Sequence, residues 1–554
     1  MTEKKQKLSR EDMAKLEIGN TQIPKVLTSI ICISFLVFII GCPIMQAAYE
    51  MLSTKRTIPQ SFEIFFNLSQ PFEKNAKDNL IVINKNLLSE INRYEDNLED
   101  NSLLLKYLMS PVQNILLDIF NTGNEKAFTG KDGFLFFQSG INYLTSSGFL
   151  RSDVLEKRIA DAEIQADPRK AIIQFKNYLA KDNIKLIIVP TTVKPMIYPD
   201  KFSSAFKNFS KYLQNPSFAK FKREMEQAGV MVFDPALILA EARKKGKDVF
   251  LKTDTHWTPY GMEQVAIGLK RFIDLQINLS SKTKANFNIK THNVDGIGDI
   301  ALMLKLRNPD MRFAKQKVDI KEVMQGKEIF RYDPNSEILL LGDSFSNIFS
   351  HEAMGWGTNA GFAEHLAFQL KRSIDAITRN DSGAYATREI IANELKKGRD
   401  PLVGKKLVIW QFAIRELFDG DWKLFEMKLG QKAPSEFFIP KANTPVIVKA
   451  MVVEVSPVPR PGMVPYKDHV MSLYLTNISG ASDLQNRQSL VYIQSMKDGK
   501  LSSAARLRPN QDIYIKLFNW QDVEDKYSRL NRSDLANDDI ALEYPCWGEL
   551  IDEK

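Results

Sequence analysis

Two short stretches of this 554-residue chain hold the residue types of an activated oxygen nucleophile. The first is Leu339-Leu-Leu-Gly-Asp-Ser-Phe-Ser346, an apolar run that ends in Gly342, Asp343 and Ser344 ahead of a helix-compatible segment. A serine at a strand-to-helix turn exposes its hydroxyl at the carboxyl edge of a sheet, where the first N–H groups of the helix face a developing oxyanion. The same tripeptide also reads as a plain turn with an Asp or Ser cap. The second stretch is Lys252-Thr-Asp-Thr-His-Trp-Thr-Pro-Tyr-Gly261. Residues two apart in an extended segment face one way, so Asp254 stands beside His256 and can hold its tautomer as the acid of a triad does. The competing reading has Asp254 capping a helix that begins near Pro259, with His256 packed under Trp257. His256 is one of five histidines, and His292, His351, His365 and His469 lack a carboxylate two residues before them. Ser344, His256 and Asp254 are therefore the candidate catalytic set. Five histidines and three cysteines leave little for a metal site, and Cys32, Cys42 and Cys546 form neither a CxxC pair nor a disulfide framework. We expect no metal and no cofactor, which leaves oxygen nucleophiles and carboxylates to do the chemistry.

The elements that must position these residues follow from hydrophobic period. Asp167-Pro168 is a cap followed by a favourable first helical position, with Ile172, Phe175 and Leu179 on one face. A compact apolar strand, 184–189, ends at Pro190. A helix around Phe218–Met225 leads to a strand at 230–233, and a further helix carries Met262, Val265, Leu269 and Phe272 on one face. Strands at 338–341 and 407–410 complete the set. Short apolar strands separated by amphipathic helices predict an α/β fold with a mainly parallel sheet, whose sites lie at the carboxyl ends of the strands. Residues 49–125 show helical period, with few strand signals, and read as a lead-in; Lys131–Gly140 opens a short aromatic strand after a Lys-Asp-Gly turn. The composition shifts at 431–444, a linker. Beyond it, alternating runs at 446–455, 470–475, 490–493 and 513–518 predict a small, separate β domain over 445–554.

The run 26–48, VLTSIICISFLVFIIGCPIMQAA, carries no charge and has about the 20 residues a bilayer-crossing helix needs. Residues 1–25 before it hold Lys4, Lys5, Lys7, Arg10, Lys15 and Lys25, whereas 49–73 hold only Lys55 and Arg56. The positive-inside bias puts residues 1–25 in the cytoplasm and the body across an inner membrane, in a periplasm. A lipidated Cys42 and a cleavable signal ending at Ala47-Ala48 are alternatives; all three deliver an anchored or exported body. The net charge of +8 is spread over 142 charged residues without a long basic block, which argues against a nucleic-acid partner.

Gly342-Asp-Ser-Phe-Ser346, Asp254-Thr-His-Trp257, Lys131-Asp-Gly-Phe-Leu-Phe136, Ile197-Tyr-Pro199, Gly298-Asp-Ile300 and Ile409-Trp-Gln-Phe-Ala-Ile-Arg415 together resemble the SGNH-hydrolase-like alginate O-acetyltransferases AlgJ and AlgX. The resemblance covers about 125–420. It implies a permuted SGNH-like domain over 126–430, in which the Asp-x-His pair precedes the serine, as Asp254 and His256 precede Ser344 here. It also implies an acetyl-serine relay fed by a polytopic membrane O-acyltransferase and directed to a polysaccharide acceptor. Asp343, Trp257 and Arg415 are candidate substrate contacts, and the C-terminal domain, with its Tyr and Trp residues, resembles a carbohydrate-binding module. The chain departs from the family at Phe134, where the family usually has Trp; at Pro190-Thr-Thr-Val-Lys194, a loosened Pro-x-Lys spacing; and at Gln411, where an acid is expected. An acetyl esterase with the same triad and a non-catalytic scaffold of a polysaccharide-export complex remain the alternatives.

Overall fold

In the computed structural model the described residues are 24–53, 59, 87–88, 91 and 102–551, the last range interrupted at 163, 207–210, 280–284, 381–382, 431–436, 463, 465, 481–486, 510, 536 and 542. Residues 1–23 of the leader expected over 1–25 and most of the lead-in over 49–125 lie outside them. Residues 1–112 and 113–554 form two compact units. In the first, Lys25–Leu52 is one apolar helix, long enough to cross a membrane and interrupted by a π-turn at Val37–Gly41. Within the expected helical lead-in, Leu103–Ile119 is a helix with Pro111 inside it.

The second unit is built on a parallel sheet. Its strands are β1 (Lys185–Thr191), β2 (Met231–Val232), β3 (Ile338–Gly342), β4 (Asp375–Thr378) and β5 (Leu407–Ala413), in the order β2-β1-β5-β3-β4. Every pairing is parallel, with Ile409 opposite Ile187 on one side and Leu340 on the other. β3 and β5 are buried along their whole length, as expected of strands covered by helices on both faces. β4 escapes sequence reading because it is half-buried and short, with Asp375 at its start. The long hairpin Phe287–Gly296 with Gln316–Gln325 was not expected either; its alternating half-buried pattern is carried by mixed polar residues.

C-terminal to this lie β6 (Val446–Val455), β7 (His469–Ser479), β8 (Arg487–Lys497), β9 (Asp512–Asn519), β10 (Asn531–Ser533) and β11 (Pro545–Leu550). The pairing runs β8-β11-β9-β6-β7 and returns from β7 to β8, so five strands close on themselves, with β10 added beside β7. Closure removes the exposed edges that a small open sheet would carry. The linker shortens, because the apolar Phe437 and Phe438 belong to the barrel: Phe438 donates its N–H to Gln488 O and accepts from Ser489 Oγ. Nor does the barrel stand apart. Tyr466 and Met496 sit in the core of the α/β domain, and Lys467 donates its N–H to Ala353 O.

Gly342, at the end of β3, cannot carry a side chain cheaply: a Cβ there would lie 2.5 Å from Ser346 Oγ and 2.8 Å from Ser346 Cβ. Gly342→Ala should cost about 1–3 kcal/mol, as overpacking does, measured by denaturant unfolding of the purified chain. A midpoint equal to that of the parent would show that the turn has slack.

Candidate active site

The segment 250–258 is a tight loop. Phe250 and Trp257 bridge, Leu251 N–H donates to His256 O, and Thr258 N–H donates to Val249 O. Thr258, not Asp254, caps the following helix Pro259–Gln276: its hydroxyl accepts from Gly261 N–H at 3.1 Å, and Pro259 occupies the first turn. Asp254 is thereby left to the imidazole. Its Oδ1 accepts from His256 N–H at 3.0 Å and lies 2.6 Å from His256 Nδ1; its Oδ2 accepts from Trp356 Nε1 at 2.9 Å and Asp299 N–H at 3.1 Å. The approach of Asp299 depends on Gly298, where a Cβ would come within 2.3 Å of the Thr253–Asp254 backbone.

Burial alone would raise the Asp254 pKa, but the His256 charge and these donors bring it down to about 2. For His256, burial acts to lower the pKa, and Asp254, followed by Asp299 and Asp343, outweighs it, so the imidazole is held above its ordinary value. Asp299 accepts Thr255 N–H at 2.7 Å and reaches to 4.0 Å from His256 Nδ1; burial and the Asp254 charge push it up to about 6. Behind the pair, Lys194 is buried, with Nζ donating to Leu135 O and Lys252 O, and burial brings it down to about 7 against the pull of Asp254 and Asp299. The ligand atoms of Asp254, His256 and Asp299 lie within 4.8 Å of one another. Both Asp254 oxygens are already occupied by N–H donors, a donor set that suits an acid–imidazole pair better than a cation cage.

Ser344 opens the one-turn helix Ser344–Asn347 at the end of β3. It lines a cavity of about 510 Å³ together with His256, Asp299, Asn380, Arg415 and Glu416. His256 Nε2 is buried and makes no hydrogen bond, so the serine–imidazole bond expected from the sequence is not closed in this conformation. Both groups nevertheless open on the same cavity, at the carboxyl edge of the sheet. Asn380 follows β4 and Arg415 follows β5, so three strand ends supply one wall.

Two expected substrate contacts are corrected. Trp257 is fully buried, edge-on to Phe345 and tilted against Phe362, and has no face free for a ligand. Asp343 caps the helix Ser344–Asn347 through Phe345 N–H at 2.8 Å, and it accepts from Gln411 Nε2 at 2.7 Å and Ala413 N–H at 2.6 Å, which uses both its oxygens. Arg415 does line the cavity, with its guanidinium 5.1 Å from the Phe137 ring. Gln411 explains the missing acid: it donates to Asp343 and Thr191 while accepting from Asp343 N–H and Ser346 Oγ, which a carboxylate cannot do. Sequence reasoning assigned no role to Asp299, although it quoted Gly298-Asp-Ile300. It missed Trp356, Asn380 and Glu416, which no local pattern marks. Glu416 is half-buried on the cavity wall, and desolvation and the neighbouring Asp419 hold it up to about 7.

Gln411→Glu should place two carboxylates face to face. The new acid, pushed above its unfolded pKa of about 4.3, would destabilise the fold increasingly as pH rises beyond that value. A melting temperature that drops more at pH 8 than at pH 5 is expected; an equal drop at both would mean packing alone is at fault. In Asp299→Asn, loss of one charge near the imidazole should lower the His256 pKa, read by NMR of ring-labelled histidine. An unchanged titration would show that Asp299 does not act on the ring.

Residues 128–414, just over half of the chain, match the family model described as the SGNH hydrolase-like domain of acetyltransferase AlgX. A probable alginate O-acetylase AlgJ of Azotobacter vinelandii is 34% identical over 119 residues, 21% of this chain and 30% of that one. The AlgJ of Pseudomonas syringae pv. tomato is 28% identical over 322 residues, 55% of this chain and 74% of its own. Among solved structures, the O-acetyltransferase domain of Pseudomonas putida AlgJ aligns at TM-score 0.39 and 18% identity, covering 52% of this chain and 91% of that one. Pseudomonas aeruginosa AlgX aligns at TM-score 0.37 and 15% identity, covering 70% and 90%. On the extent of the model match, this chain belongs to the AlgX family of SGNH hydrolase-like acetyltransferases.

Proposed function

We propose that this protein transfers acetyl groups to hydroxyls of an exported polysaccharide, alginate or a related polymer, through an acetyl ester on Ser344. One observation carries the reading: an ion-paired imidazole, its Nε2 unoccupied, opens on the same cavity as a serine at a helix N-terminus, within the segment that matches an acetyltransferase family.

In this mechanism, Asp254 holds the His256 tautomer with the proton on Nδ1, and Nε2 takes the proton from Ser344 Oγ as that oxygen attacks the donor's acetyl carbonyl. The tetrahedral intermediate collapses as His256 protonates the departing donor group, leaving the acetyl ester on Ser344. A sugar hydroxyl then gives its proton to Nε2 and attacks the ester; collapse returns the proton to Ser344 and releases the acetylated sugar. The oxyanion of both steps is met by Ser344 N–H, at the start of the helix, and by the Asn380 side-chain amide. Asn347 Nδ2 donates to Asn380 Oδ1 at 2.6 Å, which leaves the Asn380 NH2 to donate elsewhere. The apolar helix Lys25–Leu52 anchors the protein beside a membrane O-acyltransferase that supplies acetyl, with the catalytic body on the periplasmic side.

Ser344→Ala and His256→Ala should each abolish transfer from a small activated ester, and the double variant should be scarcely worse than either, because one nucleophilic unit is lost only once. Losses that multiply, or turnover in Ser344→Ala, would assign the nucleophile elsewhere. Water, at roughly 55 M, competes for the acyl-enzyme, and a bound acceptor with an effective molarity of about 10⁵ M or more overcomes it. Oligosaccharides of the right polymer should therefore divert label from acetate to sugar. Rapid stripping of an acetylated polymer with no such diversion would make the protein an esterase.

A further inference from the structure

The wall of the cavity that holds Asn380 is fastened from outside the α/β domain. Asn380 N–H donates to Asn531 Oδ1 at 3.2 Å, and Asn531 is the first residue of β10 in the barrel, paired in register with His469 of β7. A backbone N–H can only donate, so this bond fixes which end of the Asn531 amide faces the cavity loop. Asn531 is 3% exposed, and its Nδ2 is buried without a partner, so the amide is held in a costly place for the one bond its oxygen makes. Asn380 Oδ1 in turn accepts from Asn347 at the end of the nucleophile helix. The neighbouring Arg379 is nearly buried, and its charge acts on His469 and Asp534, so two successive residues after β4 lean on the barrel. Val464, in the loop between β6 and β7, also lines the cavity.

We propose that the barrel is a working part of the catalytic centre: Asn531 is a positioning residue that sets Asn380 against the acyl group on Ser344, through the chain Asn531–Asn380–Asn347. The seating of the barrel fixes the backbone from which the second oxyanion donor projects. The proposal rests on the reading of Asn380 given above, and its test separates the two.

Single-turnover acylation of Ser344 by an activated acetyl ester is measured in full-length protein for Asn380→Ala, Asn531→Leu, Asn531→Asp and the Asn380→Ala/Asn531→Leu double variant. Ser489→Ala, which removes a buried barrel hydroxyl bonded to Phe438 O, serves as the control for stability. Asn531→Leu, similar in size but without an acceptor, should slow acylation by about 10- to 100-fold, with the KM for the ester little changed, as misplacement of a catalytic donor does. Asn531→Asp, which keeps the acceptor, should recover most of the rate. The double variant should be no slower than Asn380→Ala. Asn380→Ala slow but Asn531→Leu normal would overturn the positioning role and leave the donor in place. Asn380→Ala normal would overturn the donor itself. Asn531→Leu slowed no more than Ser489→Ala at matched loss of melting temperature, or Asn531→Asp as slow as Asn531→Leu, would reduce the contact to a structural one.

Discussion

The four N–H groups converging on the Asp254 carboxylate are the contact on which the rest of the site depends. Each comes from a different place: the His256 backbone, the His256 ring, the Trp356 indole and the Asp299 backbone. A carboxylate buried among hydrophobic side chains is expensive unless every lone-pair direction is used. This one is satisfied, so it stays ionised, orients the ring and stabilises a proton on it. The loop at 250–258, the tight approach at Gly298 and the burial of Trp356 each make sense as ways of delivering one of those donors. Loss of any one would leave a buried charge short of a partner, and the imidazole would inherit the error.

The nucleophile turn is organised by a second, independent carboxylate. Asp343 ties the end of β3 to the start of the helix and to the end of β5, with Gln411 as the adaptor between two strands. Two acids of one type thus do different work: Asp254 orients the His256 ring and raises its pKa, while Asp343 fixes the backbone around Ser344. Gln411 is neutral because it must donate to one group and accept from others at once. The two networks touch in the core, where Phe345 packs edge-on to the His256 and Trp257 rings, and they open together on the cavity that Ser344 and His256 line.

Much of this was legible in the sequence because it is local. The Asp-x-His pair, the Gly-Asp-Ser turn and the buried strands at 184–189, 338–341 and 407–410 all rest on neighbours a few residues apart, where periodicity and turn chemistry speak; the order of the motifs came from the family resemblance. The parts that stayed hidden are assembled across distance. Trp356 reaches Asp254 over 102 positions, and Asn531 reaches Asn380 over 151. Nothing in the neighbourhood of either residue marks such a partner. Trp257 shows the opposite failure: expected as a substrate contact beside His256, its indole serves the core against Phe345 and Phe362. The β domain looked separate because its alternating pattern differs from that of the α/β domain, but pattern reports secondary structure and not docking.

The electrostatics of the cavity wall complete the picture. Burial and mutual repulsion raise Glu416, with Asp419 close by, and push Asp299 up to about 6. In the proposed mechanism the ester carbonyl enters neutral, and negative charge appears on its oxygen only as Ser344 attacks. A wall of ionised carboxylates would oppose that charge, and in a low-dielectric space it would oppose it strongly. Glu416, held up to about 7, removes part of that opposition and can still hydrogen-bond a sugar hydroxyl. Asp254 is kept ionised by its four donors on the far side of the imidazole, where its charge stabilises the positive ring. The site therefore separates its charges by burial and hydrogen bonding, with the imidazole between them.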